Sequence, residues 1–524
     1  MFIILTLGIV LGMQIDKIFS GDNLRENIRK FNDVLTITEK NYVEEVDTHN
    51  LVEEAIKGML DQLDPHSVYI PADQFNNIEE SFRGNFEGIG IEFQVVNDTL
   101  TVVSPITGGP SEALGIISGD RIVKIEGVDC IGITNEEVRQ KLRGEAGTKV
   151  TVTIIRVGVE KGIEYEIIRD EIPIYSVDTH FMYDNNTGYI SVSRFSGTTY
   201  DELIDALDDL RIQGMEKLVL DLRGNPGGYL EQAVKISDLF IDGNKKIVYT
   251  RGRKSNFDDE LYAELPSAYE KIPLIILINR GSASASEIVS GAVQDWDRGL
   301  IVGETSFGKG LVQRQYSLFD NSAFRLTISK YYTPSGRSIQ RDFEKKEDYY
   351  ADLRNRNEEE GENFTHTVEE DSLRPVFKTN RGRTVYGGGG ITPDYLIKSD
   401  HLTEFTRELL RNNVFYQFVL NYVDNYGNTI NSLYGENLKQ FNNEFSFNDV
   451  DFDTFLNFVE SKNVEIVEEE LAKDKEYILA RLKAQLARHF WKNEGWYNVL
   501  LNIDTQFKKS ITLFDEAKEI ADLK

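Results

Sequence analysis

Three runs of the chain, Leu218–Leu222, Leu274–Ile278 and Leu300–Val302, are apolar with almost no interruption. A strand with water on one face alternates apolar and polar side chains; a strand without that alternation has to be covered on both faces. Helical patterns fall between these runs, near Tyr229–Phe240 and Ser284–Trp296. Residues 172–399 therefore read as alternating strands and helices around a doubly covered sheet, an α/β arrangement.

The flanking segments differ. From Asp22 to about Asp64 the pattern is helical, with Leu51, Val52, Ala55, Ile56, Met59, Leu60 and Leu63 on one face and Pro65 as the stop. Residues 84–157 hold short alternating runs separated by Gly and Asp turns, with one amphipathic helix at Asn135–Leu142. They read as a compact, mostly stranded module. Residues 341–385 are charged and aperiodic, so they read as a long loop, with Glu358–Glu362 in its middle and Gly387–Gly390 at its exit. Beyond His401 the pattern returns to helices. The expected division is an apolar segment at 1–20, a helical region at 21–83, the stranded module at 84–157, the α/β core at 158–400 and a helical region at 401–524.

Bulk properties exclude several functions. With 87 acidic against 58 basic residues the formal charge is −29, a surface that repels phosphate backbones, so no nucleic-acid partner is expected. The only cysteine is Cys130, and the six histidines show no ligand-like spacing. Neither a disulfide nor a metal site is expected. Met1–Met13 is an uncharged apolar run, too short to cross a bilayer but matching a secretory signal or a membrane tether. Export to the cell envelope, in the periplasm or anchored on the outer side of the inner membrane, is the expectation; a buried first strand is the alternative.

Chemistry concentrates in three stretches. Asn279-Arg280-Gly281-Ser282-Ala283-Ser284-Ala285-Ser286-Glu287 carries an apolar strand through a turn of small residues into a helix. Serines there either cap the helix or sit where free amides stabilise negative charge. Leu300–Gly310 leads another strand into Gly308-Lys309-Gly310, with Gln313 four residues beyond the lysine. Burial at such a turn would disfavour the ammonium form and make the lysine a usable base, with Gln313 holding the amine. Asp221-Leu222-Arg223-Gly224-Asn225-Pro226-Gly227-Gly228 ends a strand in a glycine-rich turn whose amides can wall an oxyanion hole. Each is weak alone, because caps, solvated lysines and plain turns look alike.

Together these motifs resemble the C-terminal processing peptidases, or tail-specific proteases, over roughly residues 24–400. The resemblance implies a ClpP/crotonase-like peptidase core with an inserted PDZ domain, flanked by helical N- and C-terminal regions. It implies Ser284 as nucleophile and Lys309 as base, Gln313 as support, and Gly228 and Ala285 as oxyanion donors; the neighbouring Ser282 and Ser286 stay open on sequence grounds. Gly88-Ile89-Gly90-Ile91 resembles the carboxylate-binding loop of PDZ domains, and Pro110–Ile122 fits the same pattern.

The implied function is a serine endopeptidase cutting proteins or peptides selected by their free C-termini, through an acyl-enzyme and without a cofactor. Homo-oligomeric assembly is left open. A non-catalytic PDZ-containing peptide-binding scaffold is the alternative, although such relatives typically lose the Ser or the Lys. A trypsin-like reading fails because Pro226 occupies the nucleophile position of its motif. A crotonase-like acyl-CoA enzyme is disfavoured by the PDZ module and the Ser-Lys pair.

Overall fold

The computed structural model describes residues 22–343, 349, 374–435 and 437–523. The apolar segment 1–20 and the acidic run Glu358–Glu362 lie outside them. The described chain divides into two compact units, one of residues up to 72 with 314–327, the other of 73–313 with 328 onward.

In the first unit the expected helical stretch is two helices, Asp22–Asn41 and Thr48–Asp61, with the Asp47 carboxylate capping the second through the amides of His49 and Asn50. Only part of the expected apolar face is covered: Leu60 is buried, whereas Leu51, Met59 and Leu63 are exposed. Strand Val68–Ile70 pairs antiparallel with residues 323–325.

The second unit centres on a six-stranded sheet: β1 (Val177–Met182), β2 (Thr187–Val192), β3 (Lys217–Asp221), β4 (Leu274–Ile278), β5 (Leu300–Gly303) and β6 (Tyr395–Leu396), adjacent in that order. The first pair is antiparallel and the rest are parallel. Strand alternation shows why the apolar runs have no polar break. Leu218, Leu220, Ile276, Ile278 and Ile301 enter the core on the face covered by α1 (Thr199–Ile212), α2 (Leu230–Asp238) and α3 (Ala285–Asp295). Val219, Ile275, Leu277, Leu300 and Val302 enter the core on the opposite face. That face is closed by the end of the chain, where α4 (Thr505–Ser510) and α5 (Phe514–Ala521) contribute Phe507, Phe514 and Ala517.

The stranded module forms its own sheet, with Ile91–Val96 as one edge and Ile163–Ile168 as the other. It thus extends past Val157, where Ile163, Tyr165 and Ile167 alternate with two glutamates and an isoleucine that leave the signal faint. Residues 170–173 then return to pair with 85–88. The charged stretch expected to be one loop contains a small hairpin, Val376–Lys378 with Thr384–Tyr386. In the C-terminal region a long helix, Glu468–Leu500, breaks at Trp491 and Lys492, the latter with φ of 52°.

Phe507 is fully buried and meets the Tyr189 ring edge-on, with centroids 5.6 Å apart. Phe507→Ala should destabilise the core by about 3–5 kcal/mol, read as a lowered denaturant midpoint for core unfolding.

Candidate active site

Serine 284 ends the turn after β4 and precedes the first residue of α3. Its φ of 54° and ψ of −109° are a strained conformation for a residue with a side chain and cost about 1–3 kcal/mol. The two neighbouring serines differ from it. Ser282 is buried, donating to the Leu222 carbonyl at 2.7 Å and accepting from the Asn279 amide. Ser286 is buried, donating to the Asn225 carbonyl at 2.9 Å. Ser284, by contrast, is half-buried.

The glycine-rich turn after β3 packs directly on this elbow. Asn225 is fully buried; its side chain donates to the Val192 carbonyl and accepts from the Gly227 amide, and its carbonyl accepts from the Ala283 amide at 3.0 Å. Gly227, at φ 96°, lies so close that a methyl group there would stand 2.8 Å from Ser284 Cβ and 2.9 Å from the Ala285 nitrogen. A side chain on Gly228 would overlap the Phe195 carbonyl oxygen. Among the described residues the Gly228 N–H donates to no acceptor. Ala285 is the first residue of α3, where an N–H has no partner within the helix. The expected oxyanion donors thus flank the Ser284 elbow with their amides available.

Lys309 is half-buried, and its Nζ donates to Gln313 Oε1 at 2.9 Å. The lysine turn is tied to the serine turn by two residues that sequence reasoning did not single out. Glu287 is fully buried and accepts four hydrogen bonds. Oε1 takes Ser306 Oγ at 2.5 Å and the Gly308 amide at 2.7 Å; Oε2 takes the amides of Ser284 at 2.8 Å and Lys309 at 2.9 Å. Tyr331 Oη lies within hydrogen-bond distance of both the Lys309 carbonyl, at 2.6 Å, and the Ser284 carbonyl, at 3.1 Å. The backbones on either side of the proposed chemistry therefore share one carboxylate oxygen and one phenol. Glu287 was visible in the motif, three residues after Ser284, but nothing local marks its partners 20 residues away. Burial pushes its carboxyl up to about 7, against four donated bonds that favour the anion. The exit glycines also reach the site: the amide of Ile391, next to Gly390, donates to Ser306 Oγ at 2.7 Å.

The residues expected to bind peptide run from Gly88, the end of the strand paired with 170–173, through Ile89 and Gly90 to Ile91, the first residue of the module's edge strand. Ile89 is 2% exposed and enters that module's core, whereas Ile91 lines an adjoining groove. Among the described residues the Ile89 and Gly90 N–H groups donate to no acceptor.

A carboxy-terminal-processing protease of Bartonella bacilliformis is 42% identical over 322 residues, 61% of this chain and 74% of the relative. The chain belongs to that family. Peptidase family S41 matches residues 186–350 and a PDZ domain matches 101–156. The activating protease CtpB N-terminal domain matches 13–74, and a family of unknown function matches 405–492. The carboxy-terminal processing protease CtpA of Bacillus subtilis is 39% identical over 311 residues, 59% of this chain and 66% of that relative. A solved photosystem II D1 C-terminal processing protease shares 28% identity at a TM-score of 0.34, covering 59% of this chain and 89% of that one. As a member of the carboxy-terminal processing proteases, the chain is a serine protease with a PDZ domain, as the motifs implied.

Glu287 generates a test with a defined sign. The unfolded carboxyl ionises near its ordinary 4.5 and the folded one near 7, so between these values the folded state holds more protons. Stability from this group is complete below about 4.5 and is lost as pH rises towards about 7. Glu287→Gln turns one acceptor into a donor facing N–H groups and should cost about 1–3 kcal/mol. In denaturant titrations the gap to the parent protein should narrow from pH 4.5 to 7, and turnover should fall in the variant.

Proposed function

We propose that the chain is a serine endopeptidase that selects proteins or peptides by their C-terminal ends and cuts them with a Ser284–Lys309 dyad. The observation that carries this reading is the double tie between the two turns, through Glu287 Oε2 and the Tyr331 hydroxyl. It sets the serine and lysine backbones in one frame before substrate arrives, which is what positioned acid–base chemistry requires.

In the proposed reaction the unprotonated Lys309 amine accepts the Ser284 Oγ proton while Oγ attacks the scissile carbonyl carbon. The carbonyl oxygen takes the negative charge and receives the Gly228 and Ala285 N–H groups. On collapse the C–N bond breaks and Lys309 returns the proton to the leaving amine. Water, deprotonated by the same lysine, then hydrolyses the ester and frees Ser284. Gln313 orients the amine throughout. The helix N-terminus behind Ala285 favours the oxyanion as well.

Substrate selection is assigned to the PDZ module. A terminal carboxylate on the Ile89 and Gly90 amides would start a strand along the edge Ile91–Val96. Export through the N-terminal segment, with the enzyme working in the cell envelope, is part of the same proposal; recovery of the full-length chain only from the cytoplasm would contradict it.

Ser284→Ala and Lys309→Arg should each lower turnover of an unfolded test protein by about four orders of magnitude or more, with unchanged circular dichroism. Arginine does not deprotonate in this range, so activity retained in Lys309→Arg overturns the dyad. Gln313→Ala should lose less than the 10²–10³-fold, roughly, that removal of an oxyanion donor costs. A second measurement concerns the tail. Amidating the substrate's C-terminus should slow cleavage, and equal rates for free and amidated substrates would remove C-terminal selection while leaving the dyad in place.

A further inference from the structure

The edge strand Ile91–Val96 presents two faces, and different parts of the chain cover them. Ile91 and Phe93 pack against the core of the PDZ module. The alternate residues turn the other way, onto the helical region of residues 405–492. There Glu92 accepts from Arg488 with both oxygens at 3.0 Å. The Gln94 side-chain oxygen accepts from Asn413 Nδ2. Val96 is buried in a cluster with Val103, Tyr416 and Leu420.

Asn413 does more than anchor. A groove of about 460 Å³ lies along the edge strand beside the module's helix, lined by residues 91–95, Asn135 and Arg139, and Asn413 is the one lining residue from outside the module. Its left-handed backbone, φ 54°, turns the chain at the start of helix Val414–Tyr434.

The register of a bound tail follows from antiparallel pairing, on the reading of the module as a C-terminal peptide reader given above. With the carboxylate on the Ile89 and Gly90 amides, the last residue falls opposite Ile91 and the fourth from the end opposite Gln94. Residues opposite one another in an antiparallel pair share a face. The last and third-last side chains therefore go with Ile91 and Phe93, and the second- and fourth-last go with Glu92 and Gln94, towards the helical region. We propose that this helical region is a co-reader of substrate tails. Through Asn413, held on Gln94, it selects a hydrogen-bonding side chain at the fourth residue from the substrate's C-terminus.

The test uses the full chain carrying Ser284→Ala and fluorescent peptides with free C-termini that differ only at that fourth residue. By anisotropy, glutamine there should bind about fivefold tighter than alanine, the worth of one net hydrogen bond. Asn413→Gly keeps the left-handed backbone without strain and should abolish the preference, while discrimination at the last and third-last residues persists. Asn413→Asp, also at home in that conformation, should shift the preference to lysine. No preference at the fourth residue, or one that survives both substitutions unchanged, overturns the proposal. Equal binding of free and amidated peptides instead overturns the tail-reading beneath it, and the two failures are distinguished by whether the carboxylate matters.

Discussion

The buried carboxylate of Glu287 is the point on which the proposed catalytic arrangement depends. It joins two turns, after β4 and after β5, that the sheet brings side by side but does not itself align. Each oxygen takes two donors, so its lone pairs are matched by three N–H groups and one hydroxyl in a fully buried site. A buried carboxylate is expensive unless its bonds are made, and here that expense holds one geometry. Any shift of the lysine turn away from the serine turn strands a charge, a backbone amide or both. The Tyr331 hydroxyl repeats the tie on the carbonyl side.

Around that joint the sheet works as a platform. Parallel strands deliver three turns to the same end, at the C-terminal ends of β3, β4 and β5; helices follow the first two, and the third runs on into strand Leu311–Ser317. The glycine-rich turn after β3 is secured from both sides. Asn225 fastens it to the serine elbow, and Arg223 fastens it to the end of the chain, through Asp504 at 2.7 Å and Gln506 at 2.9 Å. The same terminal segment closes the second face of the sheet. Fold stability and the positioning of the amides are thus served by the same residues, and the strained Ser284 backbone is held because neighbours on every side determine it.

The proposed recognition rests on different physics. In that proposal the edge strand Ile91–Val96 gives an extended chain backbone groups to pair with, and side chains on its two faces supply selectivity. One face is the module's own. The other is occupied by a helical region from more than 300 residues later in the chain, also linked to the module by Arg121 to Asp424 at 2.5 Å and Ser118 to His489 at 2.9 Å.

Much of this was legible in the sequence because it depends on local patterns. Unbroken apolar runs such as Leu274–Ile278 demand cover on both faces whatever covers them, and alternation in Lys149–Ile154 demands a half-buried strand. Ser284, Lys309, Gln313 and the glycine turn are written as short motifs because their backbone geometry is local. The faint strand Ile163–Ile168 was missed because its side chains alternate weakly, and pairing with the neighbouring strand decides it. What only the tertiary structure decided is which distant groups meet: Glu287 with the lysine turn, Tyr331 with both carbonyls, Ile391 with Ser306, Phe507 with the sheet, Asn413 with Gln94. The different settings of Ser282, Ser284 and Ser286 are of this kind too, since hydroxyls of equal chemistry differ in which carbonyl lies within reach. Local sequence sets the conformation a segment prefers; a hydrogen bond between residues far apart in the chain has no local signature, because both partners are ordinary until the fold places one within about 3 Å of the other.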